Sequence, residues 1–260
     1  MANKIVFNLN GTLNLGIKPK SEINFNRRSE VAIMRWAIIE KFEKVLQTYF
    51  VSTINVAIVG GSSKDPEVLI LQKVHPGTKI TYLGIDNYGN ENPWLNLDLN
   101  KPFELDESFD LVVCSQVIEH LWNLEESFKS LAALVSGAGY IWINCPASNI
   151  AHGSPEYFSA GYSPEYLQRN FERFGFDSLI SGSLGSQRYY KATHLLRLWS
   201  TKLEHSNPVF GYRISGKITL GKLREMISRI PGRIMMATWN KNIVENIDYS
   251  TETYYFGRKR

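Results

Sequence analysis

The sequence predicts an α/β protein built on a mostly parallel sheet, and three observations support this fold class. Short apolar runs alternate along the chain with amphipathic segments of helical spacing, as expected when each helix links one parallel strand to the next. The first apolar run ends in the turn 60–65, which begins with two glycines. Acidic residues follow the next two runs, at Asp86 and Asp98. Because parallel strands end at the same edge of a sheet, we expect the turn and both acids to lie together.

The order of these patterns divides the chain into four predicted parts. Residues 1–50 are a polar, asparagine-rich lead-in followed by an amphipathic helix over 26–50. Residues 51–185 are the α/β core, and 186–250 are a helical insertion with helices over 192–202 and 220–230. The insertion is longer than a hairpin needs, so we expect it to cover a pocket or to make a homo-oligomer contact. Residues 251–260 return as the final strand of the core.

Within the core, six strands and three helices are expected. The run Gly137-Ala138-Gly139 is predicted to stop the second helix. Ser163 and Pro164 have the residue types preferred at the cap and first position of the third. The predicted strands are 54–59, 79–86, 94–97, 109–114, 140–144 and a sixth that begins with 176–180, and the predicted helices begin at 65, 123 and 164.

Composition excludes several classes of protein. The chain has 260 residues, a net charge of +4 and only two cysteines, and both cysteines lie in apolar runs typical of buried thiols. Residues 211–260 hold 10 Lys+Arg against 4 Asp+Glu. A solvated helix face explains this excess better than nucleic-acid binding does. The sequence lacks both a signal-peptide core and an apolar run of about 18 residues. We therefore expect a cytoplasmic protein with no membrane span.

The glycine turn after the first strand can approach a nucleotide-like ligand. Glycine tolerates positive φ and close backbone contact, and the following helix offers unpaired N–H groups. The spacing fits neither the GxGxxG of dinucleotide folds nor the GxxxxGK[ST] of phosphate loops. The missing GxGxxG counts against a nicotinamide-dependent oxidoreductase. An acid at the end of the second strand, Asp86, can accept hydrogen bonds from both hydroxyls of a ribose.

Two segments together resemble a known family. Residues 97–103 contain Asp98, and residues 108–121 contain an apolar strand, Ser115-Gln116 and then Glu119-His120-Leu121. These runs resemble the class I S-adenosylmethionine (SAM) dependent methyltransferases, in particular the branch that modifies small molecules and glycans. The likeness spans residues 54–183 and includes the loop, helix and turn of 152–176. It implies a Rossmann-like, seven-stranded, mostly parallel sheet with an antiparallel last strand.

The resemblance also implies SAM as cofactor and a role for each matching residue. The glycine turn would approach the methionine part, the acid after the second strand would hold the ribose, and the segment after the third would frame the adenine. The residues after the fourth strand would line the floor near the sulfonium. The implied cofactor residues are Gly60, Gly61, Ser62, Asp86, Asn87, Asp98, Leu99, Ser115 and Gln116. The chain departs from the family pattern at Ile58, where an acid is usual, and at Lys64, where a third glycine is usual.

The reaction expected from this likeness is O-methylation of a sugar, glycan or other small molecule. A hydroxyl acceptor must lose a proton, and histidine is a suitable base at neutral pH. His152 and His120 are the candidates, with Glu156 as the orienting partner of His152. We predict no metal, because no compact His/Asp/Glu spacing is visible. The alternative is a non-catalytic binding or scaffold protein that retains the fold.

Overall fold

A central sheet with helices on both faces makes up most of the chain that the computed structural model describes. The described residues are 6–7, 13–14, 32–85, 94–103, 105–148, 155–185, 213–215, 218–219, 244–245 and 250–260. The four helices in this part of the chain are α1 (Ala32–Tyr49), α2 (Pro66–Val74), α3 (Leu124–Leu134) and α4 (Pro164–Arg173). The main strands are β1 (Asn55–Val59), β2 (Lys79–Gly84), β3 (Trp94–Asn96), β4 (Phe109–Ser115), β5 (Val135–Pro146), β6 (Phe176–Gly185) and β7 (Ser250–Lys259).

The sheet has the strand order β3-β2-β1-β4-β5-β7-β6, and the two-residue strand Val244–Glu245 pairs with the outer side of β6. The five strands from β3 to β5 in this order are parallel, and β7 runs antiparallel to both β5 and β6. The predicted fold class is confirmed. One consequence matters for function: the carboxyl ends of β1 to β5 and the start of β7 lie at one edge of the sheet, which we call the carboxyl edge.

Each face of the sheet is buried by its own pair of helices. On the first face, side chains such as Leu111 and Val113 of β4 share one core cluster with Phe42 of α1 and Val68 of α2. On the second face, Val112 and Cys114 of β4 belong to a second cluster, whose helical members include Phe128 and Leu131 of α3 and Leu167 and Phe171 of α4. Strands covered on both faces are almost wholly apolar, and this is why the sequence shows continuous rather than alternating apolar runs.

Local signals set the start of α4 as predicted. The Ser163 hydroxyl accepts a hydrogen bond from the backbone N–H of Tyr166 at 3.2 Å, and Pro164 is the first helical residue. The cap satisfies one of the backbone donors that would otherwise be unpaired at the helix N-terminus.

Strand β5 differs from the prediction, because α3 ends at Leu134 and the strand begins immediately at Val135. The Lys259 ammonium, from β7, donates to the carbonyl oxygens of Ala132 and Val135 at 2.8 and 2.7 Å. These bonds satisfy carbonyls at the end of α3. The glycines at 137 and 139 therefore lie inside a long strand and do not form the expected helix stop.

The remaining predictions concern parts of the chain beyond those described. The helices predicted over 192–202 and 220–230 lie outside the described residues, and so does nearly all of the lead-in 1–26. The boundaries of the four predicted parts stay predictions. Within the described part, no helix is both long enough and apolar enough to cross a membrane. Cys114 and Cys145 are both buried and have free thiols.

Candidate functional site

The candidate site lies along the carboxyl edge, where the polar ends of neighbouring strands follow one another. β1 ends at Val59 beside Cys114 of β4, so Gly60 and Ser115 come next on adjacent strands. Ser115 in turn pairs in register with Asn144 of β5. Asn144 is opposite Tyr254 of β7. Adjacent strands are about 4.8 Å apart, so this row extends for only a few strand spacings from the glycine turn to β7.

The glycine turn has a backbone that suits only glycine at its first position. Gly60 has φ of 66°, and its N–H donates to the carbonyl of Leu83 on β2 at 2.7 Å. A Cβ on Gly60 would lie 2.6 Å from Cγ2 of Val117 in the segment after β4. Both the positive φ and the close contact exclude a side chain there. The turn is thus packed directly against the segment that follows Ser115 and Gln116.

A carboxylate occupies the other side of this turn. Asp65 is the cap residue of α2, and its Oδ2 accepts from the backbone N–H of Ser62 at 2.9 Å. Its Oδ1 accepts from the Ser62 hydroxyl at 3.3 Å. A Cβ on Gly61 would lie 2.8 Å from the same carboxylate. The N-terminus of α2 therefore carries a fixed negative charge within the turn, which opposes the positive end of the helix dipole.

Asp98 stands in a local network at the end of the segment after β3. Its Oδ1 accepts from the backbone and side-chain N–H groups of Asn100 at 3.0 and 3.1 Å. Its Oδ2 is 3.0 Å from the Lys101 ammonium. Burial acts to raise the pKa of Asp98, but Lys101 and Asn100 outweigh it and hold the pKa below its usual value. Asp98 is accordingly ionised at neutral pH, while the side chain of the adjacent Leu99 is buried in the second-face core.

Asn100 connects this segment to the start of α3. Its side-chain oxygen accepts from the backbone N–H groups of Trp122 and Asn123 at 2.9 and 3.1 Å. The Asn123 amide donates back to the Asn100 carbonyl at 3.1 Å. This exchange fixes the position of Asp98 relative to β4 and the segment that follows it.

Gln116 adopts a conformation that is uncommon for a residue with a side chain. Its φ is 58°, in the left-handed region, and such residues are concentrated at functional sites. Its backbone N–H donates to the Asn144 carbonyl at 2.8 Å. Its side-chain amide donates to Oε2 of Glu252 on β7, also at 2.8 Å. Gln116 therefore connects the ends of three strands, β4, β5 and β7, at the carboxyl edge.

His120 lies in the 3-10 turn Ile118–His120 and contacts the loop before α4. Its Nδ1 is hydrogen-bonded to the carbonyl oxygen of Glu156. Since a carbonyl can only accept, Nδ1 carries the proton. Its Nε2 is 3.8 Å from the carboxylate of Glu119, a side chain with no exposed surface. The backbone carbonyl of Glu119 also accepts from Phe158 and Ser159, so this turn holds the loop 155–159 in place.

The structure brings most of the predicted site residues together. Gly60, Gly61, Ser62, Ser115 and Gln116 lie at the carboxyl edge around the β1 and β4 ends, and Asp98 follows β3 at the same edge. Asp86, Asn87 and His152 lie outside the described residues. Glu156 is described, with an exposed side chain and the carbonyl that binds His120.

Three residues at this edge had no role in the sequence prediction. The sequence patterns place Asp65 only at a helix start, Asn144 only at the end of a strand and Glu252 only in the terminal strand. One sequence signal was available for Asn144, since it is the polar residue that interrupts the apolar run 140–145. Glu252 gave none, because it lies 136 residues from its partner Gln116.

Part of the sequence that forms this edge matches a known protein family. A model of the Methyltransferase domain family matches residues 85–143, which include β3, β4 and most of β5. The matched segment contains Asp98, Ser115, Gln116 and His120. No curated protein matches the chain by sequence.

Solved structures share the fold over most of the chain. A protein assigned as a sarcosine dimethylglycine methyltransferase from Galdieria sulphuraria has a TM-score of 0.55 at 12% identity, covering 89% of this chain and 89% of its own. The [4+2]-cyclase SpnF has a TM-score of 0.52 at 13% identity, with coverage of 91% and 84%. Coclaurine N-methyltransferase bound to N-methylheliamine and SAH has a TM-score of 0.51 at 12% identity, with coverage of 91% and 76%.

Because the sequence identities are low, the likeness to these structures shows only that the fold is shared. The chain has the fold of the class I SAM-dependent methyltransferases, and its segment 85–143 matches the sequence pattern of a methyltransferase domain. The resemblance found in the sequence is confirmed.

Proposed function

We propose that this chain is a SAM-dependent methyltransferase that methylates a hydroxyl oxygen of a sugar, glycan or other small molecule. The observation that carries the proposal is the constrained backbone where the β1 and β4 ends meet. Gly60 has a positive φ and packs on Val117, and Gln116 has a positive φ immediately after the neighbouring strand β4. In open α/β sheets, ligands bind at this edge.

The described residues fit a cofactor that carries positive charge. The cofactor would be held by Gly60, Gly61 and Ser62, by Asp98 and Leu99, and by Ser115 and Gln116, with Asp86 and Asn87 at the ribose. When bound, SAM supplies a methyl group on a positively charged sulfur. The Asp65 carboxylate in the turn favours the cationic parts of such a cofactor. It also opposes binding of a pyrophosphate at the α2 N-terminus, which argues against a dinucleotide.

Removal of the acceptor proton is assigned to His152, with Glu156 as its orienting partner. His120 is the other candidate base, but its protonated Nδ1 is bound to the Glu156 carbonyl and its Nε2 faces Glu119. That arrangement suits a residue that positions the loop 155–159 better than one that accepts a proton from a substrate. A base of this kind suits a hydroxyl acceptor, because the hydroxyl must lose its proton as the methyl group is transferred.

Calorimetry with SAM, its demethylated product SAH and NAD tests the cofactor. We expect SAM and SAH to bind in the micromolar range and NAD to bind more weakly. Incubation with labelled SAM and a set of sugar nucleotides and glycans then tests the acceptor by mass shift. His152→Ala should reduce turnover by about 10²-fold or more while leaving SAH affinity unchanged. Unchanged turnover in this variant would show that another group is the base.

A second candidate function is binding without methyl transfer. Two observations favour it: Ile58 stands where the family usually has an acid, and the shared fold also occurs in SpnF, a cyclase. Function is determined by the site and not by the fold. Absence of SAM and SAH binding at high micromolar concentration would favour this second candidate.

A further inference from the structure

We infer that the acceptor binds on the first face of the carboxyl edge, over β5 and β7, and that the Asn144 amide and the Glu252 carboxylate hold it through its hydroxyl groups. This inference rests on the proposed function, because it places the acceptor relative to a cofactor bound at the glycine turn. It adds two binding residues, and it narrows the acceptor to a neutral hydroxyl compound.

The Asn144 amide is buried without hydrogen-bond partners. Its side chain has no exposed surface, and neither Oδ1 nor Nδ2 has a partner among the residues that the structure describes. A side-chain amide can donate two hydrogen bonds and accept two, and burial of such a group without partners is strongly unfavourable. Buried polar groups in native proteins are almost always paired. An unpaired amide at a ligand-binding edge can therefore take up the hydrogen bonds of a ligand, and this is the basis of the inference.

The side chain of Asn144 lies on the first face, next to other polar groups. Trp142, two residues earlier on β5, belongs to the first-face core, and side chains alternate between faces along a strand. The register places Ser115 on one side of Asn144 and Tyr254 on the other. The Ser115 hydroxyl is likewise buried with no partner in the described part of the chain. These residues form one polar patch beneath the first-face helices.

The strand order gives this patch its position relative to the cofactor. Asp98 follows β3 on one side of the glycine turn, and Asn144 and Glu252 lie on β5 and β7 on the other side. A cofactor that extends from the segment after β3 to Ser115 would have its reactive end toward β5. The acceptor must approach that end in line, so the groups next along the edge are Asn144 and Glu252.

Glu252 is held in a fixed position and limits the charge of the acceptor. The Gln116 amide donates to its Oε2, and the side chain is largely buried, with 8% exposed. On the same face, the Lys41 ammonium of α1 lies 4.9 Å from the centroid of the Tyr254 ring. The Glu252 carboxylate disfavours an anionic acceptor through charge repulsion. A simple ammonium acceptor can only donate hydrogen bonds, so it would leave the NH₂ group of Asn144 unpaired. Hydroxyl groups both donate and accept, so they satisfy both side chains.

The test compares Asn144→Leu with a matched control, Thr81→Val. Thr81, on β2, is also buried and its hydroxyl has no partner among the described residues, but it lies on the second face, away from the proposed acceptor. Each substitution replaces an unpaired polar group with an apolar group of similar size, so each should raise Tm, by about 2–4 °C. Each variant should bind SAH with a Kd within about twofold of the wild-type value.

Transfer of labelled methyl groups separates the two variants. The probes are neutral methyl glycosides and myo-inositol, with benzylamine as the amine and benzoate as the anion. We expect the wild type and Thr81→Val to methylate at least one glycoside or inositol, and Asn144→Leu to show at least about a tenfold lower kcat/KM. Glu252→Gln should also lower kcat/KM, with the main effect on KM.

Four outcomes would overturn the inference. A lower Tm for Asn144→Leu would show that the amide is structural. Unchanged transfer in this variant would remove Asn144 from the acceptor site. The inference would also fail if the wild type binds SAH but methylates only benzylamine or benzoate, or none of the probes. Either result would exclude a neutral hydroxyl acceptor. Absence of SAH binding to the wild type would refute the proposed function itself, and this inference with it.

Discussion

Asp65 determines which charges the glycine turn can accept. Its carboxylate binds the Ser62 N–H and hydroxyl and lies against Gly61, so the first donors of this turn are already paired. A helix N-terminus normally attracts anions. Here the acid reverses that preference, which is why a cofactor with a cationic amino group and sulfonium fits better than one with a pyrophosphate. Ile58, where the chain departs from the family pattern, lies in β1 two residues before this turn.

Asp65→Asn should weaken SAM binding by about tenfold, because it removes the charge but keeps an oxygen that can accept from Ser62. Calorimetry at low and high salt measures the effect, and the affinity of the wild type should depend on salt more strongly than that of the variant. Asp110→Asn is the matched control. Asp110 accepts from the Asn55 N–H at 2.8 Å, but at the opposite edge of the sheet. Equal affinities for wild type and Asp65→Asn would show that this charge does not contribute to binding.

Tyr255 gives the folded protein a stability that depends on pH in the alkaline range. Its side chain is fully buried against Phe171, with ring centroids 4.9 Å apart, and its hydroxyl accepts from Ser178 at 3.2 Å. Burial raises the pKa of Tyr255 to about 12, from the usual value of 10.0. The unfolded chain therefore releases this proton first as pH rises. Stability contributed by the neutral phenol is complete below pH 10 and is lost as pH rises toward 12.

Tyr255→Phe should remove this part of the pH dependence. We expect the urea midpoint of the wild type to fall faster between about pH 10 and about pH 12 than that of the variant. At neutral pH the variant should be less stable by about 1 kcal/mol, because it lacks the bond to Ser178. Parallel pH profiles for the two proteins would contradict the assignment of the shift to Tyr255.

Strand β7 lies between β5 and β6 and depends on a glycine near its C-terminal end. A Cβ on Gly257 would collide with the hydroxyl of Tyr255 two residues earlier, so the strand accommodates the tyrosine only by omitting a side chain at 257. By contrast, a Cβ on Gly137 in β5 would meet nothing within 4 Å. Packing therefore requires a glycine at 257 in β7 but not at 137 in β5.

Gly257→Ala should lower the free energy of unfolding by about 1–3 kcal/mol through overpacking. The loss should be smaller in a Tyr255→Phe background, which removes the colliding oxygen, so the double-mutant cycle should show a positive coupling. Urea denaturation of the four proteins measures this. Gly137→Ala serves as the control and should change stability by less than about 0.5 kcal/mol. Equal losses in both backgrounds would mean that the phenol oxygen is not the cause.

Elements with local signals could be predicted from the sequence, and those fixed by distant pairing could not. The start of α4 was predictable because Ser163 and Pro164 lie within the segment they initiate. The end of β6 at Gly185 was not predictable, because it is set by the pairing of β7 along nearly the whole length of the strand. The same reasoning applies to the site. The glycine turn is a local pattern, whereas the pairing of Gln116 with Glu252 depends on the position of β7 in the sheet.

At the scale of the whole molecule, the sheet has two edges with different contents. The carboxyl edge carries the glycine turn, Gln116, Asn144 and Glu252. The opposite, amino edge contains a cavity of about 300 Å³, lined by residues that include Tyr49, Asp110, Ser136 and Tyr140. In α/β sheets of this type, ligands bind beyond the carboxyl ends of the strands. The amino-edge cavity is thus a control site: ligand binding there can be compared with ligand binding at the carboxyl edge.

Hydrogen exchange with and without SAH should distinguish the two edges. A ligand that binds the folded state stabilises it by an amount set by its concentration relative to Kd, and amides at the binding site are protected first. We expect SAH to slow exchange in segments 60–65, 97–100 and 115–117, and to leave 52–54 and 136–140 unchanged at concentrations just above Kd. NAD at the same concentration should have no effect on either set. Protection confined to the amino edge would place the ligand in the wrong half of the sheet for methyl transfer, and it would contradict both the proposed function and the acceptor position derived from Asn144.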